Sequence, residues 1–260
     1  MRRIVFVDLD DTLFQTQRKN PQADRLAAVD REGNPLSFRD ARQEAFLDWL
    51  AQDALVVPVT GRSVDAFQRV RLPLGKAAIC SFGGVILDGD GQPEREWHQR
   101  MTEAAQGLAD LMETLLDVVA TTAAGDQRDV RYRIIRDAGL PLYISVKHNT
   151  NDAEEVARLA TSVAPSVPQD WVLHLNANNM ALLPPFLGKA AAVAYFLERF
   201  AGEDGDGGDS QVLTLGVGDS FTDLGFMGLC DFAVTPSKSQ IMSAVPWQTH
   251  RDLVAERGLR

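Results

Sequence analysis

The sequence predicts an α/β chain in which a parallel-sheet domain is interrupted by a smaller α+β module. Three observations predict it. Residues 4–7, 54–59 and 212–217 are short, predominantly apolar runs, as strands covered on both faces are. Helical patterns separate the first such runs, the order of a parallel sheet. Between them and the last run, from about residue 98 to about residue 185, the pattern changes to amphipathic helices and alternating strands, which suit an antiparallel sheet open on one face. The expected division is therefore 1–97 and 186–260 for the two halves of the outer domain and 98–185 for the insertion.

Each element has its own signal. Ile-Val-Phe-Val at 4–7 is the first buried strand. Residues 14–38 are polar, with Gly33, Asn34 and Pro35 as turn signals. Ser37, with Asp40 three residues on, has the form of a helix cap, followed by Ala41, Ala45, Phe46, Trp49 and Leu50 at helical spacing. The run 54–59 is the second strand. Ser63 caps a helix carrying Val64, Phe67 and Val70. Residues 77–81 and 85–87 are two further strands joined through Gly83 and Gly84.

In the insertion, residues 102–120 predict one long helix with Leu108, Leu111, Met112, Leu115, Leu116 and Val119 on a face. Residues 130–136 and 142–147 alternate as strands around a turn at Gly139. Residues 152–163 are a second amphipathic helix, and 171–175 and 180–183 a second strand pair. Residues 189–200 return to a helix, 212–217 to a buried strand and 232–234 to a short one.

Composition bounds the partners. The 260 residues are 45% hydrophobic and 24% charged, an ordinary globular mixture with a net charge of 26 − 36 = −10. That acidity argues against nucleic acid as a partner. No window is apolar enough for a membrane span. The apolar stretch after the basic start lasts four residues, too short for a secretion signal, so a cytoplasmic protein, monomer or homodimer, is expected. Cys80 and Cys230 sit beside apolar runs and read as small buried thiols. The acidic segment with Asp204, Asp206 and Asp209 fails as a calcium loop: its sixth position, a glycine in such loops, is Asp209, and its twelfth is Leu215.

Four clusters carry chemistry. Asp8 and Asp10 follow the first strand, at the sheet edge where open α/β sheets bind ligands. Carboxylates crowded there repel unless a divalent cation or a proton lies between them. Thr60-Gly61-Arg62-Ser63 follows the second strand and offers a hydroxyl, a glycine and a helix start, a phosphate cradle or simply a cap. Asp219 and Asp223 follow the run 212–217 and can face one ion or one lysine. Lys189 opens a helix, where a cation opposes the macrodipole and calls for an anion or carboxylates nearby.

Taken in order, Asp8-Leu9-Asp10-Asp11-Thr12-Leu13, Thr60-Gly61-Arg62, Lys189 and Gly218-Asp219-Ser220-Phe221-Thr222-Asp223 resemble the haloacid dehalogenase superfamily of phosphohydrolases, over about two thirds of the chain. The insertion is similar to that superfamily's larger C2 cap, of the C2B kind, found in Cof-type, sucrose-phosphate and mannosylphosphoglycerate phosphatases and in phosphomannomutases. Ser81-Phe82-Gly83-Gly84-Val85-Ile86 looks like the hairpin leading into such caps. Two positions depart from relatives with that cap: Asp11, where many have Gly, and Thr222, where close ones often have Asn.

The resemblance implies a Rossmann-like core and a magnesium-dependent phosphatase. In it Asp8 would be the nucleophile and Asp10 the acid and base. Mg2+ would be held by Asp8, the Asp10 carbonyl and Asp219, with Asp223 an outer ligand or a partner of Lys189. Thr60, Gly61 and Lys189 would bind the phosphoryl oxygens, with Arg62 outside that set and a candidate for substrate specificity instead. The cap positions Lys147, His148, Asn149, His174, Asn176, Asn178 and Asn179 are candidates for contact with the leaving group, and their amides suit a small sugar or polyol phosphate. A phosphotransferase or phosphomutase, or a silent phosphate-binding module, are the alternatives; dehalogenation is disfavoured.

Overall fold

The computed structural model describes residues 1–200 and 212–244, so the acidic segment with Asp204, Asp206 and Asp209 lies outside the described residues. Strand β1 (Arg2–Val7) leaves Ile4, Phe6 and Val7 with no exposed surface, as a strand covered on both faces should. Burying a side chain such as Phe6 contributes roughly 1.5–3 kcal/mol.

The polar stretch that follows holds a hairpin, β2 (Arg25–Val29) and β3 (Pro35–Arg39), turned at Gly33. Ser37 lies inside β3 and is buried, so it caps nothing. The cap of α1 (Ala41–Leu50) is Asp40, whose carboxylate accepts from the Arg42 and Gln43 amides at 2.9 and 3.0 Å. Gln43 completes the box by accepting from Asp40 N at 3.1 Å. The helix buries Leu47 and Leu50, whereas Trp49, expected on the buried face, is 60% exposed and stacks on Phe46.

Strand β4 (Leu55–Pro58) pairs parallel with β1. Helix α2 (Val64–Phe67) is one turn, capped by Ser63, and Val70 lies past its end, bridged to Ala28 rather than helical. Strand β5 (Ala78–Cys80) lies beside β4 through a parallel bridge from Val59 to Ile79, and β6 (Val85–Leu87) folds back on it antiparallel. Their connection holds Ser81 and Phe82 at φ 51° and 55°, a left-handed pair costing of order 1–3 kcal/mol per residue.

The single helix expected over 102–120 is two, α3 (Arg95–Ala105) and α4 (Ala109–Gly125). Gly107, at φ 81°, adopts a conformation no helix continues and turns the chain between them. Met112, Leu115 and Val119 are buried on α4, with Leu108, Leu111 and Leu116 half-buried beside them. Strands β7 (Val130–Asp137) and β8 (Leu140–His148) form a hairpin, α5 (Ala153–Val163) is capped by Asp152, and β9 (Val172–Asn176) and β10 (Asn179–Leu183) form a second hairpin. The resulting antiparallel sheet has the order β7-β8-β10-β9. One face packs Ile144, Val146, Met180 and Leu182 against α4 and α5. The other turns toward the first sheet, where Tyr143 and Leu183 join its core.

Helix α6 (Lys189–Phe200), strand β11 (Val212–Val217), helix α7 (Leu224–Met227), strand β12 (Phe232–Val234) and helix α8 (Gln240–Ala244) complete the described chain. The parallel sheet has the order β12-β11-β1-β4. Cys80 is buried, whereas Cys230 is only half-buried. Among the described residues no helix is long and apolar enough to cross a membrane.

Candidate active site

Register brings the site together. Val7 of β1 stands opposite Pro58 of β4 and Val217 of β11, so the carboxyl ends of three parallel strands are level. Asp8, Thr60 and Asp219 come one or two residues later and share that edge. All three are buried, as are Asp223 and Lys189.

Lys189, the first residue of α6, donates to Asp8 Oδ1 at 2.7 Å and to Asp223 Oδ1 at 2.6 Å. Burial would lower its pKa, but the two carboxylates outweigh it and keep the ammonium charged. Asp223 turns its second oxygen back to accept from the Asp219 and Ser220 amides at 3.1 and 2.9 Å and from the Ser220 hydroxyl at 2.8 Å. Thr12, which the motif reading left without a role, donates to Asp219 Oδ1 at 3.2 Å.

Charge in this cluster does not balance. Asp8, Asp219 and Asp223 each bring a carboxylate oxygen within 4.8 Å of the others. Three carboxylates and one ammonium sum to −2. Burial, and then the Asp223 charge, pushes the Asp219 carboxyl up to about 7. Burial raises Asp8 well above the usual carboxylate range despite Lys189. An all-oxygen set short of two positive charges fits a hard divalent cation.

Asp10 is not free beside Asp8. Arg62 clamps it in a bidentate pair, Nε at 2.6 Å and Nη2 at 2.7 Å, with the guanidinium 5.0 Å above the Phe14 ring. Burial would raise its pKa, but Arg62 outweighs that and holds it below the ordinary range. Its side chain remains 46% exposed although protein surrounds it, the geometry of a cleft floor.

The Thr60–Arg62 loop is braced from the second sheet. Tyr143 Oη donates to the Gly61 carbonyl at 3.0 Å. Asp137, at the end of β7, accepts from Val64 N at 2.8 Å and from the Ser81 hydroxyl at 2.6 Å. Gly61 is required by packing, since a Cβ there would stand 2.6 Å from the Phe82 ring. None of these braces was visible in the motifs.

The second-sheet candidates divide. Lys147 pairs with Asn179, Asn179 with Asn176 and His174 with Ala181, which places them on the face turned to the acids. The His174 ring is 5.8 Å from Phe82, and burial followed by the Lys189 charge lowers its pKa. His148 is on the opposite face, buried, with Nδ1 accepting from Thr150 N at 3.2 Å. Asn149 is tied to Asp129 and Arg131 at 2.7 and 2.8 Å, and Asn178 to Asn151 at 2.8 Å. His148 and Asn178 sit in local networks of their own, whereas Asn149 is tied to Arg131, which shares the face of Lys147.

No family model matches the chain, and no curated protein matches it. Solved structures do. The C-terminal domain of trehalose-6-phosphate phosphatase from C. albicans aligns over 87% of this chain and 73% of its own, at 16% identity and a TM-score of 0.58. A sucrose-phosphatase from Synechocystis, in complex with sucrose and phosphate, aligns over 96% and 91%, at 17% identity and a TM-score of 0.51. A haloacid dehalogenase-like hydrolase from Bacteroides thetaiotaomicron aligns over 90% and 94%, at 11% identity and a TM-score of 0.50. The chain therefore has the fold of the haloacid dehalogenase-like phosphatases.

Proposed function

We propose that the protein is a magnesium-dependent phosphomonoester hydrolase acting on a small phosphorylated metabolite. The observation that carries this reading is the convergence of Asp8, Thr60, Lys189, Asp219 and Asp223 at the carboxyl edge of one parallel sheet. Asp8 attacks phosphorus and the ester oxygen leaves, giving an aspartyl-phosphate. Asp10 gives its proton to that oxygen, then takes one from the water that hydrolyses the intermediate. Asp10 must gain a proton before the first step, and Arg62 opposes this. Lys189 and the Thr60–Gly61 loop hold the phosphoryl oxygens as their charge shifts. Asp8, Asp219 and the Asp10 carbonyl would hold the magnesium, with Asp223 behind them. When bound, the ion screens the nucleophile from the phosphate dianion.

Residues 98–185 would act as the cap that excludes water and contacts the alcohol. Asn176 and Asn179 face the acids, and Asn179 Oδ1 is a buried oxygen with no donor among the described residues. A substrate hydroxyl would supply one. The sugar-phosphate phosphatases among the structural neighbours support the same class.

The test is phosphate release from an aryl phosphate and a panel of sugar and polyol phosphates, with magnesium, with chelator and in Asp8→Asn. Magnesium-dependent release that the substitution abolishes is expected. Release that survives Asp8→Asn would contradict the mechanism, and a folded, magnesium-loaded protein that releases nothing would point to phosphotransfer or binding alone.

A further inference from the structure

The second-sheet face turned toward the acids carries more charge than its fold needs. Arg131 and Lys147 stand directly opposite each other on β7 and β8, and Arg133, two residues along β7, stands opposite Ser145 on the same face. Neighbouring strands are only about 4.8 Å apart. Like charges placed so repel and weaken the sheet. Two of the acids near them are engaged with other cations, Asp10 with Arg62 at 2.6 and 2.7 Å and Asp65 with Arg69 at 2.5 Å, while Asp129, two residues before Arg131, accepts from the Asn149 amide at 2.7 Å. Asp137, at the end of β7, already accepts from Ser81 and Val64.

Lys147 and Arg133 make no hydrogen bond or ion pair to any described residue, and Arg131 donates to Asn149. Lys147 is open to solvent yet enclosed by protein, with the Asp10 carboxylate acting on it and Arg62, Arg131 and Arg133 as like charges around it. Such a position is the wall of a cleft whose floor is Asp10. In a chain of net charge −10, this row concentrates positive potential at the side of Asp10 where the alcohol must leave.

The geometry points to an anion subsite formed by Lys147 with Arg133 and Arg131, which holds a second anionic group on the leaving alcohol. The substrate class is then an acidic phosphomonoester, a hydroxylated one whose alcohol also bears a carboxylate or a second phosphate. A guanidinium fork binds either group in two places at once. This inference rests on the phosphatase reading above and deepens it.

Matched pairs test it: 3-phosphoglycerate against glycerol 3-phosphate, 6-phosphogluconate against sorbitol 6-phosphate, and glucose 1,6-bisphosphate against glucose 6-phosphate. The first two differ in reach, and the third separates a second phosphate from a carboxylate. In the wild type, at least one anionic member should exceed its neutral partner about tenfold in kcat/KM. Lys147→Gln and Arg133→Gln should each cut that ratio severalfold. The Lys147→Gln melting temperature should hold or rise, because a cross-strand repulsion is removed.

No preference in any pair, or a substitution that lowers both members equally, overturns the proposal. A calorimetric titration of the same pairs into magnesium-loaded Asp8→Asn needs no turnover. If the wild type releases phosphate from nothing, the phosphatase reading fails. Tighter binding of the anionic member, lost in the Asp8→Asn, Lys147→Gln double variant, would still sustain the subsite, and equal binding would overturn it.

Discussion

Magnesium should stabilise this protein, and by an amount that depends on pH in a calculable way. Asp219 sits at about 7 in the metal-free fold because it is buried and beside Asp223. The unfolded chain releases that proton near pH 4. Between the two values the folded state binds more protons, so metal-free stability falls as pH rises from about 4 to about 7. The integrated loss is bounded at roughly 4 kcal/mol, about three pH units at 1.36 kcal/mol each. A cation takes only the deprotonated acid, so its apparent affinity weakens about elevenfold at pH 6 and is almost unaffected at pH 8. At about a hundred times its pH 8 Kd, magnesium adds about 2.7 kcal/mol at pH 8 and roughly half that at pH 6. At about 2–4 °C per kcal/mol for a chain of this size, the melting temperature should rise roughly 5–10 °C at pH 8 and about half as much at pH 6. Asp8, also raised, acts in the same direction. Thermal unfolding with chelator and with magnesium at both pH values is the assay. A shift as large at pH 6 as at pH 8, or none at either, would refute the reasoning.

Two further outcomes follow from the site. Arg62→Gln removes the guanidinium that keeps Asp10 ionised, so the limb of the pH–rate profile set by Asp10 should move up by about 1–3 units; an unmoved profile would mean that Asp10 does not carry the proton. Asp137→Ala leaves the buried Ser81 hydroxyl and the Val64 amide without an acceptor, at about 1–3 kcal/mol each. The melting temperature should fall by several degrees and KM should rise as the Thr60 loop loosens, and a variant with both unchanged would show that the brace is unimportant.

Strand ends and helix starts were legible because the physics that marks them is local. A run such as Ile4–Val7 can be buried only on both faces, and an acid at its end must emerge at the sheet edge. The β2–β3 hairpin escaped because its buried positions are Ala27, Ala28, Val29 and the polar Ser37, too small and too few to give a hydrophobic period. The break between α3 and α4 was available in Gly107, which the helical spacing around it masked. The Arg62–Asp10 clamp and the Asp137 brace join residues 52 and 56–73 positions apart, and no local pattern encodes such pairs. On β8, strict alternation could have separated Lys147 from His148, which face opposite sides; treating the polar positions as one set lost that distinction.

The proposed hydrolysis requires that Asp8 accept the phosphoryl group. Acid quenching during turnover, followed by proteolysis and mass spectrometry, reads this directly. A phosphoryl adduct on the peptide bearing Asp8, labile to hydroxylamine and absent in Asp8→Asn, is the predicted result. Turnover that never labels Asp8, or a label on another residue, would contradict it.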